Sequence, residues 1–291
     1  MRVFMGAAVI AIMVLGTAAR AEPADERKLC VPSGVAAERA IAACTALIAS
    51  GRETAKNLAI AFHNRGNAYL TRNDFDHAIE DYSEAIRRDA DYASAYHGRG
   101  LARQKMGALD LAIQDFDQTL KLRPDSAVAW TSRGTTYRMK GRIDRAIEDF
   151  DEAIRRDAKH VPAYFGRALA WQEKAEWDFD AYVNAGRYED RAIQDYDEVI
   201  RLAPNTRAAF NNRGNVYVSK RQFERAIADF EQAMRLAPDD ARYYRNRGNV
   251  FRLMGQYDRA IADYRKALSL KADASTRKFV EAALKELGVA G

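Results

Sequence analysis

The dipeptide Ala-Ile recurs at nearly constant intervals, and this repeat restricts the fold of the chain more than any other feature. It begins at Ala40, Ala78, Ala112, Ala146, Ala192, Ala226 and Ala260, and four of the six steps are 34 residues long. A second dipeptide, Arg-Gly, keeps the same period at Arg65, Arg99, Arg133, Arg213 and Arg247. Such a period predicts an array of similar units that stack, because one unit alone cannot bury its apolar face.

Each unit resembles the tetratricopeptide repeat (TPR), a helix-turn-helix of 34 residues. The TPR motif has aromatic residues at positions 4 and 24, glycine at 8 and alanine at 20. Position 4 is Phe62, Tyr96, Trp130, Tyr164, Phe210 and Tyr244. Position 24 is Tyr82, Phe116, Phe150, Tyr196, Phe230 and Tyr264. The resemblance implies an all-α fold, a right-handed TPR superhelical solenoid of antiparallel helix pairs.

Six TPR units account for residues 59–274. Their predicted boundaries are 59–92, 93–126, 127–160, 161–206, 207–240 and 241–274. Residues 22–58 are expected to be an N-terminal segment with a half-repeat capping helix, and residues 275–291 a C-terminal capping helix, because solenoids need capped ends.

The fourth unit carries an insertion, which makes one Ala-Ile step 46 residues long instead of 34. Insertions in repeat proteins gather on one face and often contact partners. The aromatic residues Trp177, Phe179 and Tyr182 lie in this segment. They are expected either to pack on one another or to contact a partner.

The first 21 residues predict a signal peptide. Arg2 precedes an uncharged stretch from Val3 to Ala19, and Ala19-Arg20-Ala21 fits a small-x-small cleavage site. We expect cleavage near Ala21-Glu22, no stable membrane insertion afterwards, and a periplasmic or secreted protein of an exported bacterial type. The alternative is an uncleaved membrane anchor, for which the stretch is short.

The chain has two cysteines, Cys30 and Cys44. In an oxidising compartment two cysteines are expected to pair, so we predict a disulfide bond between them. The alternative is two separate buried thiols. In either case the role is structural, because no redox motif lies nearby.

The units depart from the usual TPR pattern in two columns. Position 7, usually leucine, is arginine in all six units: Arg65, Arg99, Arg133, Arg167, Arg213 and Arg247. Position 23 is aspartate in all six: Asp81, Asp115, Asp149, Asp195, Asp229 and Asp263. We expect a ladder of Arg–Asp pairs, since guanidinium and carboxylate can pair through two hydrogen bonds. The partner can lie in the same unit or in the next one, and the alternative is two independent solvated columns.

No catalytic, cofactor or metal site is predicted, and the chain is not expected to be an enzyme. Adjacent carboxylates follow the repeat period, and the four histidines lack the spacing of zinc ligands. No phosphate-binding loop or nucleophile elbow occurs. The net charge is only +5, with both signs interleaved along the helices, which argues against nucleic acid as a partner.

The TPR resemblance implies a binding site in the concave groove, lined by positions 2, 5, 9 and 12 of each first helix. The candidate residues are His63, Asn67, His97, Arg138, Asn211, Asn215, Arg242, Arg245, Asn249 and Arg252. The asparagines can hold the backbone of an extended peptide, and the C-terminal arginines can attract an acidic segment or a carboxylate end.

The predicted function is therefore a non-catalytic adaptor or scaffold that binds a protein or peptide, with acidic segments favoured. Two alternatives stay open. The groove can be a solvated polar face with the true binding site elsewhere, or the protein can be a structural, self-associating component of the cell envelope.

Overall fold

The computed structural model describes residues 28–31, 36–177 and 181–289, without the side chains of residue 177 and residues 181–183. The predicted signal peptide and Phe179 lie outside these residues, as do the side chains of Trp177 and Tyr182. Within the described ranges the chain forms α-helices and no strand. None of these helices is both long enough and apolar enough to span a membrane.

Fourteen helices follow one another along the described chain. They are α1 (Ala37–Ala49), α2 (Ala55–Thr71), α3 (Phe75–Arg88), α4 (Ala93–Lys105), α5 (Leu109–Leu122), α6 (Ala127–Met139), α7 (Ile143–Arg156), α8 (Val161–Trp177), α9 (Ala181–Leu202), α10 (Arg207–Ser219), α11 (Phe223–Leu236), α12 (Ala241–Leu253), α13 (Tyr257–Ser269) and α14 (Ala274–Glu286). The six pairs from α2/α3 to α12/α13 each hold one aromatic residue at position 4 and one at position 24.

The chain forms two compact units, of which the first ends at Ala95 and the second begins at Tyr96, within α4. In the first unit, α2 packs against both α1 and α3. In the second compact unit, each helix from α5 to α13 packs against the next one along the chain. The second compact unit is thus a stack of helix pairs in which each pair covers the apolar face of its neighbour.

Glycine at position 8 allows the two helices of a pair to approach closely. A Cβ atom added to Gly214 would lie 2.8 Å from the ring of Phe230, and one added to Gly248 would lie 2.9 Å from the ring of Tyr264. Both rings are fully buried. The small residue at position 8 and the ring at position 24 are therefore complementary, which explains why they recur together.

Replacing Gly214 with valine is expected to lower the free energy of unfolding by about 1–3 kcal/mol, because the ring of Phe230 must move to admit the side chain. The matched control is Gly186→Val in α9, where an added Cβ would meet only Lys220 Nζ, at 4.0 Å. This control should change stability by less than about 0.5 kcal/mol. Urea unfolding of both variants tests the prediction, and equal losses would contradict it.

The disulfide between Cys30 and Cys44 is formed, as the sequence predicts. Both residues are buried, and Asn64 on α2 donates a buried hydrogen bond of 2.8 Å from Nδ2 to the carbonyl oxygen of Cys30. The segment around Cys30 is therefore fixed both to α1, by the covalent bond, and to α2, by the hydrogen bond.

Reduction of this disulfide is expected to lower the free energy of unfolding by about 2–3 kcal/mol, because the reduced unfolded chain regains the entropy of the open loop. Denaturant unfolding with and without a reductant measures the difference. The double variant Cys30→Ala/Cys44→Ala should resemble the reduced protein and should not respond to the reductant. Equal unfolding midpoints for the oxidised and reduced protein would contradict the prediction.

The C-terminal helix α14 covers the last helix pair. Val280, Ala283 and Leu284 of this helix are buried against the last pair. Phe279 also faces the last pair, but its side chain is 39% exposed. Phe279 lies at the margin of the buried face, edge-on to the ring of Tyr264, with ring centroids 6.4 Å apart.

Candidate functional site

Six Arg–Asp pairs join the two helices of each pair. Each arginine at position 7 donates two hydrogen bonds, from Nε and Nη2, to the aspartate at position 23 of the same unit. In the third unit, for example, Arg133 Nε lies 2.9 Å and Nη2 2.8 Å from the two carboxylate oxygens of Asp149. The aspartates are only 2–6% exposed. The pairs therefore lie within units, and the alternative of two solvated columns is wrong.

Four of these arginines also reach a carboxylate of the preceding repeat: Arg133, Arg167, Arg213 and Arg247. Arg133 Nη1 lies 2.5 Å from Asp117 Oδ1, and Arg247 Nη1 lies 3.0 Å from Glu231 Oε1. Burial raises the pKa of Asp149, while the hydrogen bonds and charge of Arg133 oppose that rise. Because every position-7 arginine has a buried carboxylate as its own partner, this column is structural and offers no cation to a ligand.

In the first compact unit, the groove candidates His63 and Asn67 are engaged with each other and with neighbouring rings. Asn67 Nδ2 lies 3.5 Å from His63 Nδ1, and Asn67 Oδ1 accepts a hydrogen bond of 2.7 Å from the hydroxyl of Tyr82. The ring of His63 lies 5.0 Å from that of Tyr92. Burial lowers the pKa of His63, so its imidazole is neutral at pH 7. This position therefore carries no charge for an acidic partner.

In the second compact unit, His97 and Arg138 also have partners within the protein. His97 Nε2 lies 3.0 Å from Ser132 Oγ, and the ring of His97 is tilted against that of Phe116. Arg138 forms an ion pair with Glu173. A ligand at either residue must replace one of these interactions.

The asparagines of α10 and α12 form a hydrogen-bonded cluster. Asn246 Nδ2 donates to Asn211 Oδ1 at 2.8 Å and lies 3.5 Å from Asn215 Oδ1. Asn211 in turn donates to Asn212 Oδ1 at 3.1 Å. The structure thus brings together two predicted groove residues, Asn211 and Asn215, through Asn246, which lies outside the four lining positions. Its place at position 6, beside Arg245, is the sequence signal for this role.

Among the candidate groove arginines, Arg245 is the one that has no carboxylate within 4.0 Å in the described chain. Its Nε and Nη2 donate to Asn246 Oδ1 at 3.0 and 2.9 Å, and its guanidinium lies 5.6 Å from the ring centroid of Phe279. No carboxylate of the described residues lies within 4.0 Å of it. Burial lowers the pKa of Arg245, while the charges of Asp273 and Asp240 oppose that change from a distance.

The other two C-terminal arginines are neutralised locally. Arg242 donates to both oxygens of Asp240, at 2.9 and 2.6 Å, at the start of its own helix. Arg252 lies 3.4 Å from Glu286 of α14 and donates to Asn249 Oδ1 at 3.1 Å. From the sequence, all three C-terminal arginines are equally good candidates to attract an acidic segment. In the structure, Arg242 and Arg252 have a carboxylate partner and Arg245 has none within 4.0 Å among the described residues.

The resulting candidate site, here called the C-terminal groove site, consists of Asn211, Asn215, Arg245, Asn246 and Asn249, with Phe279 at its edge. Among the described residues, the side-chain nitrogens of Asn215 and Asn249 donate no hydrogen bond. Arg245 Nη1 is likewise unused. The site therefore offers amide donors and one guanidinium, which is the chemistry that binds peptide carbonyls and a carboxylate.

Family models for tetratricopeptide repeats match more than half of the chain when taken together. One model described as "Tetratricopeptide repeat" matches residues 214–285. A second with the same description matches twice, at residues 97–161 and 131–174. A model described as "TPR repeat" matches residues 66–107. A search of the curated proteins finds no match.

Several solved structures have a similar fold. A tetratricopeptide repeat protein from Parabacteroides merdae is 19% identical and aligns with a TM-score of 0.61 over 84% of this chain and 91% of its own. TTC0263, a thermophilic TPR protein in Thermus thermophilus, is 23% identical and aligns with a TM-score of 0.54 over 66% of this chain and 99% of its own. YrrB, described as a TPR protein with an unusual peptide-binding site, is 21% identical and aligns with a TM-score of 0.50 over 67% of this chain and 93% of its own. At these identities the likeness shows the fold alone, and it confirms the predicted class, an all-α solenoid of helix pairs.

Proposed function

Because the chain belongs to the tetratricopeptide-repeat family, we propose that it is a non-catalytic adaptor that binds an acidic protein segment in the C-terminal groove site. The TPR fold suggests a protein-binding scaffold in general, and members of the family are typically non-catalytic adaptors. YrrB, which shares the fold, is described as having a peptide-binding site. These points support the general role, and the residues of this chain support the choice of partner.

The observation that carries the proposal is that the guanidinium of Arg245 has no carboxylate in direct contact among the described residues. The carboxylates of Asp273 and Asp240 act on this half-buried charge only from a distance. A carboxylate from a partner could form the direct ion pair that the guanidinium lacks. Asn246 holds the guanidinium through Nε and Nη2, which leaves Nη1 for the incoming carboxylate. Phe279 lies beside it and offers an exposed apolar surface to a neighbouring side chain of the partner.

The asparagines give the groove a second mode of contact. Asn215 and Asn249 occupy position 9 of consecutive units, on α10 and α12, which are in contact. Packed helices lie about 8–10 Å apart, and an extended peptide advances about 3.3 Å per residue. The two amides can therefore hold peptide groups about three residues apart, with an acidic side chain directed to Arg245.

We place the protein in the periplasm or outside the cell. The uncharged leader with its small-x-small site supports export, and the Cys30–Cys44 disulfide is typical of an oxidising compartment. An adaptor there meets exported or surface proteins, so its acidic partner is expected among them.

Selection of binders from a library of random linear peptides tests the function. The oxidised protein and its Arg245→Glu variant are each used as the target. Peptides that bind the unmodified protein are expected to be enriched in Asp and Glu and to be lost on the variant. Enrichment of the same peptides on both targets, or of peptides without acidic residues, would rule out the proposed site.

A further inference from the structure

A pocket of about 590 Å³ lies in the fourth unit, between α7, α8 and α9. Here α8 and α9 have 17 and 22 residues, whereas the helices of the preceding pair, α6 and α7, have 13 and 14. Arg167 and Trp171 on α8 line the pocket at positions 7 and 11. At 100° per residue these positions face away from positions 5, 9 and 12 of the same helix, so the pocket is separate from the groove.

The carboxylates on the pocket wall are already neutralised. Arg167 pairs with both Asp195 and Asp151, and Lys220 Nζ lies 3.1 Å from Asp190. These acidic groups therefore have cationic partners of their own, and the charge of Arg191 acts on Asp195 only from a distance.

Two further guanidiniums of α9, those of Arg187 and Arg191, line the same pocket. Within the part of the chain that the structure describes, no carboxylate lies within 4.0 Å of either one. Gln194, one turn further along α9, is exposed and adds an amide that can both donate and accept hydrogen bonds. The pocket thus combines two guanidiniums that form no direct ion pair with a neutral polar group.

Aromatic stacking fixes the position of one of these cations. The guanidinium carbon of Arg191 lies 4.8 Å from the ring centroid of Trp171, a cation–π geometry. The ring of Trp171 is itself stacked on that of Tyr188, with centroids 5.7 Å apart and planes 14° apart. Arg191 therefore loses little freedom when a ligand binds, which favours recognition of an anion.

We propose that this pocket binds a small organic polyanion, a molecule with two or more phosphate or carboxylate groups. Guanidinium groups match both kinds of oxyanion through paired hydrogen bonds, and two of them suit a ligand with two such groups. Pockets of about 300–1,000 Å³ are of the size that small molecules occupy. The site is independent of the groove and of the peptide partner proposed for it.

The fifth unit provides a matched control within the same molecule. Arg225 occupies the position of Arg191 and lies 4.2 Å from the ring centroid of Tyr217. This unit has Ala228 where the fourth has Gln194, and its helices α10 and α11 have 13 and 14 residues. It therefore has the stacked arginine without the lengthened helices and the amide.

Titration of the oxidised protein with inorganic pyrophosphate and, separately, with citrate tests the proposal by calorimetry at low salt. At least one of the two probes is expected to bind with one site per chain, and the stronger one identifies phosphate or carboxylate as the ligand group. The double variant Arg187→Ala/Arg191→Ala should bind at least about tenfold more weakly, a loss of about 1.4 kcal/mol. Circular dichroism checks that it keeps its helices.

One control separates this site from general electrostatic attraction. Arg225→Ala should retain the affinity of the unmodified protein for the probe. Failure of both probes to bind, full affinity in the double variant, or an equal loss in Arg225→Ala would overturn the proposal. None of these results bears on peptide binding in the groove.

Discussion

Replacing Arg133 with leucine is expected to lower the free energy of unfolding by about 3–5 kcal/mol, because it leaves the carboxylate of Asp149 buried without its counter-ion. Asp149 is 4% exposed and accepts both of its ladder hydrogen bonds from Arg133. The substitution also removes the contact with Asp117 of the preceding unit. Urea unfolding followed by circular dichroism measures the loss.

A matched control for this variant is available in the same unit. Arg145→Leu removes an exposed ion pair with Glu148, in which both side chains are about two-thirds exposed, at 68% and 62%. Its expected cost is about 0–1 kcal/mol. The double variant Arg133→Leu/Asp149→Leu should lose less stability than Arg133→Leu, since no charge is left unpaired. A loss below about 1 kcal/mol for Arg133→Leu would mean that water solvates the carboxylate of Asp149.

Replacing Arg245 with glutamate is expected to weaken binding of an acidic peptide about 100- to 1,000-fold, which corresponds to about 2.7–4.1 kcal/mol. The change removes the attraction between the guanidinium and the peptide carboxylate and places two negative charges side by side. Isothermal titration with a peptide selected on the unmodified protein measures the affinity. Because the interaction is between charges, the affinity of the unmodified protein should also fall as salt is added.

Two substitutions distinguish a specific contact at Arg245 from a general effect of charge. Arg242→Ala removes a positive charge nearby, but one that is already paired with Asp240, so the affinity should change by less than about threefold. Arg245→Lys keeps the charge without the planar donor geometry, and its affinity should lie between those of the unmodified protein and Arg245→Glu. Equal losses in Arg242→Ala and Arg245→Glu would contradict the assignment.

The repeat made much of the fold predictable from the sequence. The residues at positions 4, 8, 20 and 24 encode one helix pair and its packing on the next, as the close fit of Gly214 to Phe230 illustrates. The ladder was predictable for the same reason, because arginine and aspartate recur in step in all six units. Whether each arginine pairs with the aspartate of its own unit was not predictable. Both residues recur once per unit, so pairing within a unit and pairing between neighbouring units fit the sequence equally well.

The details of the groove depend on contacts that the repeat does not encode. Arg252 is neutralised by Glu286, which is 34 residues away and lies in the capping helix. The exposure of Phe279 depends on how α14 meets the last pair. Residues that occur once, at the end of an array, have no counterpart in other units from which their environment can be inferred.

The fourth-unit insertion illustrates the same limit. The long Ala-Ile step shows from the sequence that residues are inserted, and in the structure α8 and α9 are longer than their neighbours, at 17 and 22 residues. Its aromatic residues Trp177, Phe179 and Tyr182 remain predicted contacts. The pocket lined by Arg187 and Arg191 could not be foreseen, because it requires the stacking of Trp171 on Tyr188.

The most direct test of the adaptor function is an NMR titration that follows the side-chain Nε–Hε signals of the arginines as a selected acidic peptide is added. We expect the signal of Arg245 and the side-chain amide signals of Asn215, Asn246 and Asn249 to shift with a single binding curve. The signals of the ladder arginines, such as Arg213, should stay unchanged. Shifts confined to the ladder or to the fourth-unit pocket, with Arg245 unaffected, would contradict binding in the groove.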